Sequence, residues 1–229
     1  MWMSRILVVN PNSSIACSDG ISAALAPFRY AGGPAFEVVT LREGPPAIYS
    51  WRHWHGVVEP LCRLVEREAA DAYVIACASD PGIEAVRSAT TRPVFGVFRS
   101  AVAVAAARSE RFGVIGMVDE SKPRHLAALR AMGLEARLAA EVALNVTMET
   151  LLDPRAARAR LVEAARECAA SGAGAVIFGC TGMAHHRAAV EDAAGVPIVE
   201  PCQAAAGIVM ASLGCVGGLS LRAEGEASP

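Results

Sequence analysis

The chain repeats itself, and that constrains its fold more than any other feature. Arg5-Ile-Leu-Val-Val returns as Arg111-Phe-Gly-Val-Ile at an offset of 106. Ala-Asp-Ala-Tyr-Val-Ile-Ala-Cys, ending at Cys77, returns as Ala-Gly-Ala-Val-Ile-Phe-Gly-Cys, ending at Cys180, at an offset of 103. Arg92-Pro93-Val-Phe-Gly-Val returns as Val196-Pro197-Ile-Val-Glu-Pro at an offset of 104. Three nearly equal offsets in the same order mean that two halves of about 100 residues, each the size of a small domain, share one succession of structural units. Within each half, short β-branched runs alternate with Ala-rich stretches, the pattern of βαβ units. The fold class that follows is α/β, with two pseudo-symmetric lobes, each a mainly parallel sheet flanked by helices. Residues 1–97 with 201–229 make the first lobe, to which the last helix returns, and residues 98–200 make the second.

Predicted strands cover 6–9, 37–40, 72–76, 94–97, 112–116, 175–179 and 197–199. Predicted helices lie near 14–28, 57–70, 82–90, 100–109, 121–132, 154–171, 184–194 and 202–213, with a frayed tail beyond. Open parallel sheets bind ligands beyond the carboxyl ends of their strands. Two lobes related by a pseudo-twofold bring those ends to a shared cleft, so Cys77 and Cys180, at equivalent strand ends, are expected on opposite walls.

Composition removes several function classes. Apolar residues make up 53% and charged residues 19%, enough to bury a sheet under helices and too apolar for general disorder. Against 23 acidic residues stand 21 Lys and Arg, so the basic footprint that nucleic acid needs is missing. The apolar run before Asn10 is too short for a signal segment or a membrane span, and a cytoplasmic location is expected. A small-molecule substrate and a homo-oligomer are expected, with neither nucleic acid nor membrane as partner. Seven cysteines without a CxxC pair or a Cys/His cluster indicate neither a disulfide framework nor a metal site. Each thiol is then a small core residue or a reactive one. Cys17, Cys62, Cys168 and Cys215 have no counterpart across the repeat and read as structural; Cys202, at the start of the last helix, could line the cleft but reads as packing.

Cys77-Ala-Ser-Asp-Pro-Gly and Cys180-Thr-Gly-Met-Ala each follow an apolar strand with a small, polar turn. Free N–H groups and a helix dipole at such a turn favour the thiolate, and Asp80 and Pro81 read as N-cap and first helical residue. A thiolate on one wall can take a proton from a carbon acid while a thiol on the other returns one to the opposite face, inverting the stereocentre. A single cysteine at a strand end is more often a core thiol; a pair matched across the repeat points to chemistry.

These motifs resemble the aspartate/glutamate/hydantoin racemase superfamily, and within it the hydantoin and allantoin racemases, from about Arg5 to Leu213. Asn10-Pro11-Asn12-Ser13-Ser14 is similar to their Asn-Pro-Asn-Thr-Ser opening, Cys77-Ala-Ser-Asp-Pro-Gly to their Cys-Phe-Gly-Asp-Pro-Gly, and Gly179-Cys180-Thr-Gly-Met-Ala to their second cysteine motif. The resemblance implies catalysis without cofactor or metal, Cys77 and Cys180 as the acid/base pair, and substrate oxygens held around Asn10, Pro11, Ala78, Ser79, Thr181 and Gly182. Ala78-Ser79 in place of Phe-Gly, and Gly116-Met117 where many relatives carry threonines, depart from that pattern. Glutamate racemases carry Cys-Asn-Thr after the first cysteine and Asp-Ser-Gly after the first strand, both absent here. Neutral Asn10 favours a neutral 5-substituted hydantoin or allantoin. Decarboxylases of the superfamily keep only the second cysteine. An amino-acid racemase of the aspartate/glutamate type and a non-catalytic ligand-binding module on the same scaffold remain as alternatives.

Three other clusters have simpler readings. His53 and His55, within Tyr49–His55, have metal-like residue types but no nearby acids, and the aromatic segment reads as a loop flanking the cleft, the best candidate for a lid or specificity loop. His185 and His186 follow Cys180 by about one turn and are either a solvated pair or a means of tuning that thiol. Asp119-Glu120 reads as a charge pair at a helix N-terminus.

Overall fold

The computed structural model describes residues 4–153 and 155–214. Cys215 and the predicted frayed tail lie outside the described residues, as does Pro154. The strands are β1 (Arg5–Asn10), β2 (Ala35–Thr40), β3 (Ala72–Ile75), β4 (Val94–Gly96), β5 (Phe112–Gly116), β6 (Leu138–Ala143), β7 (Ala175–Gly179) and β8 (Ile198–Val199). The helices are α1 (Ile15–Ala24), α2 (Trp51–Gly56), α3 (Val58–Arg67), α4 (Ile83–Ser88), α5 (Val97–Arg108), α6 (Lys122–Ala131), α7 (Met148–Leu152), α8 (Arg158–Ala170), α9 (Arg187–Ala194) and α10 (Pro201–Ser212). No described helix is long and apolar enough to cross a membrane.

Two all-parallel sheets form, in the orders β2-β1-β3-β4 and β6-β5-β7-β8. The second order is the first shifted by four strands, so the repeat in the sequence is a repeat of topology. Side chains alternate across each strand and are sorted accordingly. Ile6, Val8, Val74, Phe112, Val114 and Ile177 enter one apolar core shared by both sheets, together with α5 and α10. Leu7, Val9, Tyr73 and Ile75 point the other way, against α3 and α4. Ile115, Val176 and Phe178 do the same in the second lobe, against α8 and α9. Each such side chain, fully buried, contributes about 1.5–3 kcal/mol.

Three elements differ from the sequence expectation. β6 was not expected, because Leu-Ala-Ala-Glu-Val-Ala is a run of helix formers; pairing with β5 at the sheet edge overrides that propensity. Its start, Leu138, lies 103 residues after Ala35, the start of β2, so the repeat extends to this strand. Tyr49–His55 is not a loop throughout: Ser50 accepts the His53 N–H and starts α2. The short α7 is capped by Thr147 in the same way.

Asp80 is also not the cap of the helix that follows it. It takes a positive φ of 46°, and α4 starts only after Gly82. Its carboxylate instead accepts the backbone N–H groups of Phe98 and Arg99, each at 2.9 Å, at the start of α5. Gly96 makes room for this, since a Cβ there would lie 2.2 Å from the Asp80 carboxyl carbon. In the second lobe Glu200 stands where the first has Gly96, and caps α10 itself through Cys202 and Gln203 at 3.1 and 2.7 Å. One requirement, an acceptor at the first turn of the returning helix, is met from two different chain positions.

Asp80→Ala strands two buried donors and is expected to cost about 2–4 kcal/mol, and Gly96→Ala about 1–3 kcal/mol through overpacking. In chemical denaturation the Gly96→Ala cost should fall by more than half in the Asp80→Ala background, because the clash partner is gone. Strictly additive costs would contradict the proposed contact.

Candidate active site

β3 ends at Ile75 and β7 at Gly179, and both run directly into a turn that bears a cysteine. In the first lobe the Asp80 N–H donates to the Cys77 carbonyl at 2.9 Å, closing a tight turn that places the Cys77 Sγ 3.4 Å from the Ser79 Oγ. In the second, the Met183 N–H donates to the Cys180 carbonyl at 3.1 Å and opens a 3₁₀ turn over Thr181–His186. The Cys180 Sγ lies 4.0 Å from the Met117 Sδ, beyond the end of β5. A Cβ at Gly182 would come within 3.1 Å of the Met148 sulfur, so glycine allows this turn to sit against α7.

Both cysteines border one cavity between the lobes, which encloses about 460 Å³ with its open mouth included. The first lobe contributes Asn12, Ile48, Ala76, Cys77, Ala78 and Ser79. The second contributes Met117, Val118, Ser121, Arg124, His125, Met148, Gly179, Cys180 and Thr181. Of the residues singled out from sequence, Cys77, Cys180, Ala78, Ser79 and Thr181 come together here. Asn10, Pro11 and Gly182 do not line the cavity. Asn10 is wholly buried; its Nδ2 donates to Asn12 Oδ1, the Ser14 carbonyl and Ser18 Oγ at 3.0–3.1 Å. It holds the loop that delivers Asn12. Cys17, read as structural, sits directly behind the site, its Sγ 3.7 Å from Thr181 Oγ1 and 3.6 Å from Asn12 Nδ2.

The aromatic segment lies at the edge of the cavity. Trp54 Nε1 donates to the Ser79 carbonyl at 3.0 Å, and Tyr49 Oη accepts the Met148 N–H at 3.1 Å, so the segment spans from one lobe to the other. His53 Nδ1 accepts the Tyr49 N–H, and among the described residues no group of three or more His, Cys, Asp or Glu is placed to hold a metal. His185 is exposed, but His186 is fully buried and donates through Nε2 to the Leu151 carbonyl at 3.2 Å, so the pair is not solvated as a unit. Neither histidine lines the cavity.

The electrostatics reverse one expectation. Burial pushes the Cys77 thiol above its ordinary pKa; Ser79 and the charge of Arg124 pull it partly back. Burial also holds the Cys180 thiol well above the ordinary range, and its neighbours Cys17 and Cys77 add to the effect. The helix dipole does not offset this, because α4 has only 6 residues and begins after Gly82, while Cys180 leads into a 3₁₀ turn. Both groups rest as thiols at neutral pH. A thiolate formed there is the stronger base for being poorly solvated.

Sequence alone does not single out Arg124, His125, Met148 or Ile48, and it gives Asn12 and Met117 only as motif positions without a site role. Arg124 and His125 stand in the first turn of α6, which follows β5 on the carboxyl side of its sheet. That placement is a usable signal, since the sequence predicts a helix over 121–132 directly after the β5 strand end. His125 is buried, hydrogen-bonded through Nδ1 to Glu141 Oε1 at 2.6 Å and stacked on Phe98 at 4.6 Å.

Comparison with known proteins concerns the chain as a whole. The family model described as Asp/Glu/Hydantoin racemase matches residues 6–209. A hydantoin racemase of Paenarthrobacter aurescens is 32% identical over 208 residues, 88% of this chain and 87% of that protein. The solved allantoin racemase from Klebsiella pneumoniae superposes with a TM-score of 0.81 at 26% identity, over 92% of this chain and 89% of that one. A glutamate racemase from Francisella tularensis, at 16% identity and a TM-score of 0.67 over 92% of this chain and 81% of that one, shares the fold.

Raised thiol pKa values set a pH dependence. Alkylation of Cys77 and Cys180 by iodoacetamide, read residue by residue in a mass spectrometer, should rise about tenfold per pH unit through pH 9, because only the thiolate reacts. Ser79→Ala should delay the rise at Cys77 to higher pH. A plateau already reached at pH 7 would mean the thiols are acidic instead.

Proposed function

We propose, from the premise that the chain belongs to the Asp/Glu/hydantoin racemase family, that it inverts the stereocentre of a 5-substituted hydantoin or allantoin with Cys77 and Cys180 as acid and base and without a cofactor. The coarser statement, a racemase of the hydantoin/allantoin type, rests on the relatives. The observation that carries the finer one is that two thiols from equivalent strand ends of the repeat border the same cavity.

The chemistry follows from that placement. The reacting form is the minor one in which the thiol on one wall has given its proton to water; its thiolate takes the proton from the carbon beside the ring carbonyl, and the C–H electron pair moves into the carbonyl as an enolate. The S–H of the other wall gives its proton to the opposite face of the same carbon. The enzyme ends with the proton on the first sulfur and the charge on the second, and the reverse reaction starts from that state. Ala78, Ser79 and Thr181 put backbone amides and hydroxyls beside the reacting centre, where neutral donors can meet the enolate oxygen. Once a bound ring has displaced water from the cavity, such donors act with more than their aqueous strength.

An amino-acid substrate has one observation in its favour, the Arg124 guanidinium in the cavity wall. Against it, no Asp or Glu among the described residues lines the cavity to receive an ammonium group. A neutral ring avoids that cost.

Cys77→Ser and Cys180→Ser should each lower racemisation by at least ~10³-fold while one variant still exchanges the α-proton of one enantiomer in heavy water and the other that of its mirror image. Racemisation near the wild-type rate in either variant rules out the two-thiol scheme. For the wild type, followed by circular dichroism in the presence of a chelator, kcat/KM for a hydantoin or allantoin should exceed that for aspartate or glutamate by at least ~100-fold, or about 2.7 kcal/mol.

A further inference from the structure

Arg124 is 3% exposed, and its guanidinium has no carboxylate within ion-pair distance among the described residues. It makes two hydrogen bonds, both to backbone carbonyls: Nη1 to Glu120 at 2.8 Å, and Nη2 to Ile48 at a long 3.4 Å. Its Nε is enclosed with no acceptor. The charged groups that face it are few. Glu120 is exposed, Glu141 is engaged by His125, and Cys77 rests as a thiol. A guanidinium removed from water without an anion carries a desolvation cost that its backbone bonds only partly offset. That cost is tolerated where a ligand completes the pair.

We infer that the substrate supplies the missing counterion: Arg124 receives a carboxylate borne on the side chain of a ring-neutral carbon acid, a 5-(carboxyalkyl)hydantoin. Among the described residues, the cavity lined by Arg124 and both cysteines has no Asp or Glu in its walls, so an anion meets no fixed carboxylate there and an ammonium meets no partner. Guanidinium is the cation suited to this role, because its planar fork pairs a carboxylate through two parallel N–H donors. Nε lacks an acceptor but is enclosed, and the 3.4 Å bond of Nη2 is the weakest of the set, so a carboxylate would displace the Ile48 carbonyl at Nη2 and pair with Nε as that segment gives way. Trp51, 41% exposed, lies with its ring 5.9 Å from the guanidinium carbon, so Arg124 is within a side chain's reach of solvent at the cleft edge. The inference rests on the hydantoin reading and narrows it from any 5-substituent to an acidic one.

The test compares two hydantoins of equal shape and different charge, 5-(2-carboxyethyl)hydantoin and its carboxamide, on the full chain. The wild type is expected to favour the carboxylate by at least ~30-fold in kcat/KM, mostly through KM. Arg124→Gln should bring the ratio to within ~3-fold: both rates fall, because the guanidinium charge also favours the Cys77 thiolate, but the carboxylate loses at least ~10-fold more than the carboxamide, and Arg124→Lys should keep part of the preference. A wild type that racemises both equally overturns the inference, as does a preference that survives Arg124→Gln. Equal loss on both substrates in a folded Arg124→Gln protein also overturns it, since it assigns the guanidinium to the enolate, to the Cys77 thiolate or to the fold. Equilibrium binding of the same two compounds, followed by tryptophan fluorescence, decides the point independently of turnover. Charge selectivity in Kd that Arg124→Gln abolishes supports the inference even if neither hydantoin is racemised, an outcome that removes the hydantoin reading instead. Equal Kd values in the wild type overturn it.

Discussion

The apolar core shared by the two sheets is the contact on which the rest depends. Ile6 and Val8 of one sheet and Phe112 and Val114 of the other occupy it with α5 and α10, the helices that leave the last strand of each lobe. Because interiors are close-packed, this core leaves the lobes little freedom to shift against one another. The cavity lies where the strands end, and the cysteines stand in the turns just beyond β3 and β7.

The returning helices show how two similar halves reach the same end by different means. α5 is capped by Asp80 from across the lobe and α10 by Glu200, the residue just before it. Both carboxylates are buried, and burial raises Asp80 to about 6 and Glu200 to about 7. The first solution has a consequence for the site that the second lacks. Asp80 belongs to the Cys77 turn, so anchoring α5 also anchors the thiol, whereas Cys180 is held by a 3₁₀ turn packed on Met148. The site is therefore pseudo-symmetric in its two thiols and asymmetric in their supports. The asymmetry extends to charge, since Arg124 acts on Cys77 and Cys180 faces two other thiols.

Burial is what turns two ordinary cysteines into candidates for moving a proton at carbon. In water a thiolate is a modest base; in a cavity that disfavours its charge it is a stronger one, and a thiol opposite it holds its proton until an enolate asks for it. The same low polarity makes the single guanidinium in the wall costly when the cavity is empty, which ties the chemistry of the thiols to the charge of what binds between them.

The repeat by itself determined the two-lobed α/β architecture and the equivalence of Cys77 and Cys180, because strand patterning and chain order are local properties that a period in the sequence preserves. It carried further than expected at β6, whose offset from β2 was legible although its Ala-rich composition concealed it. Most of the cavity's first-lobe turn was legible as well, in Ala78 and Ser79. Tertiary structure decided what no neighbouring residue encodes. Asp80 reaches forward to α5 instead of capping α4, Asn10 supports Asn12 instead of facing the cleft, and Arg124 is enclosed without an anion. The direction of the thiol pKa shifts was decided there too. Each of these depends on which distant segments exclude water from a given atom, and solvent exclusion is a property of the assembled fold.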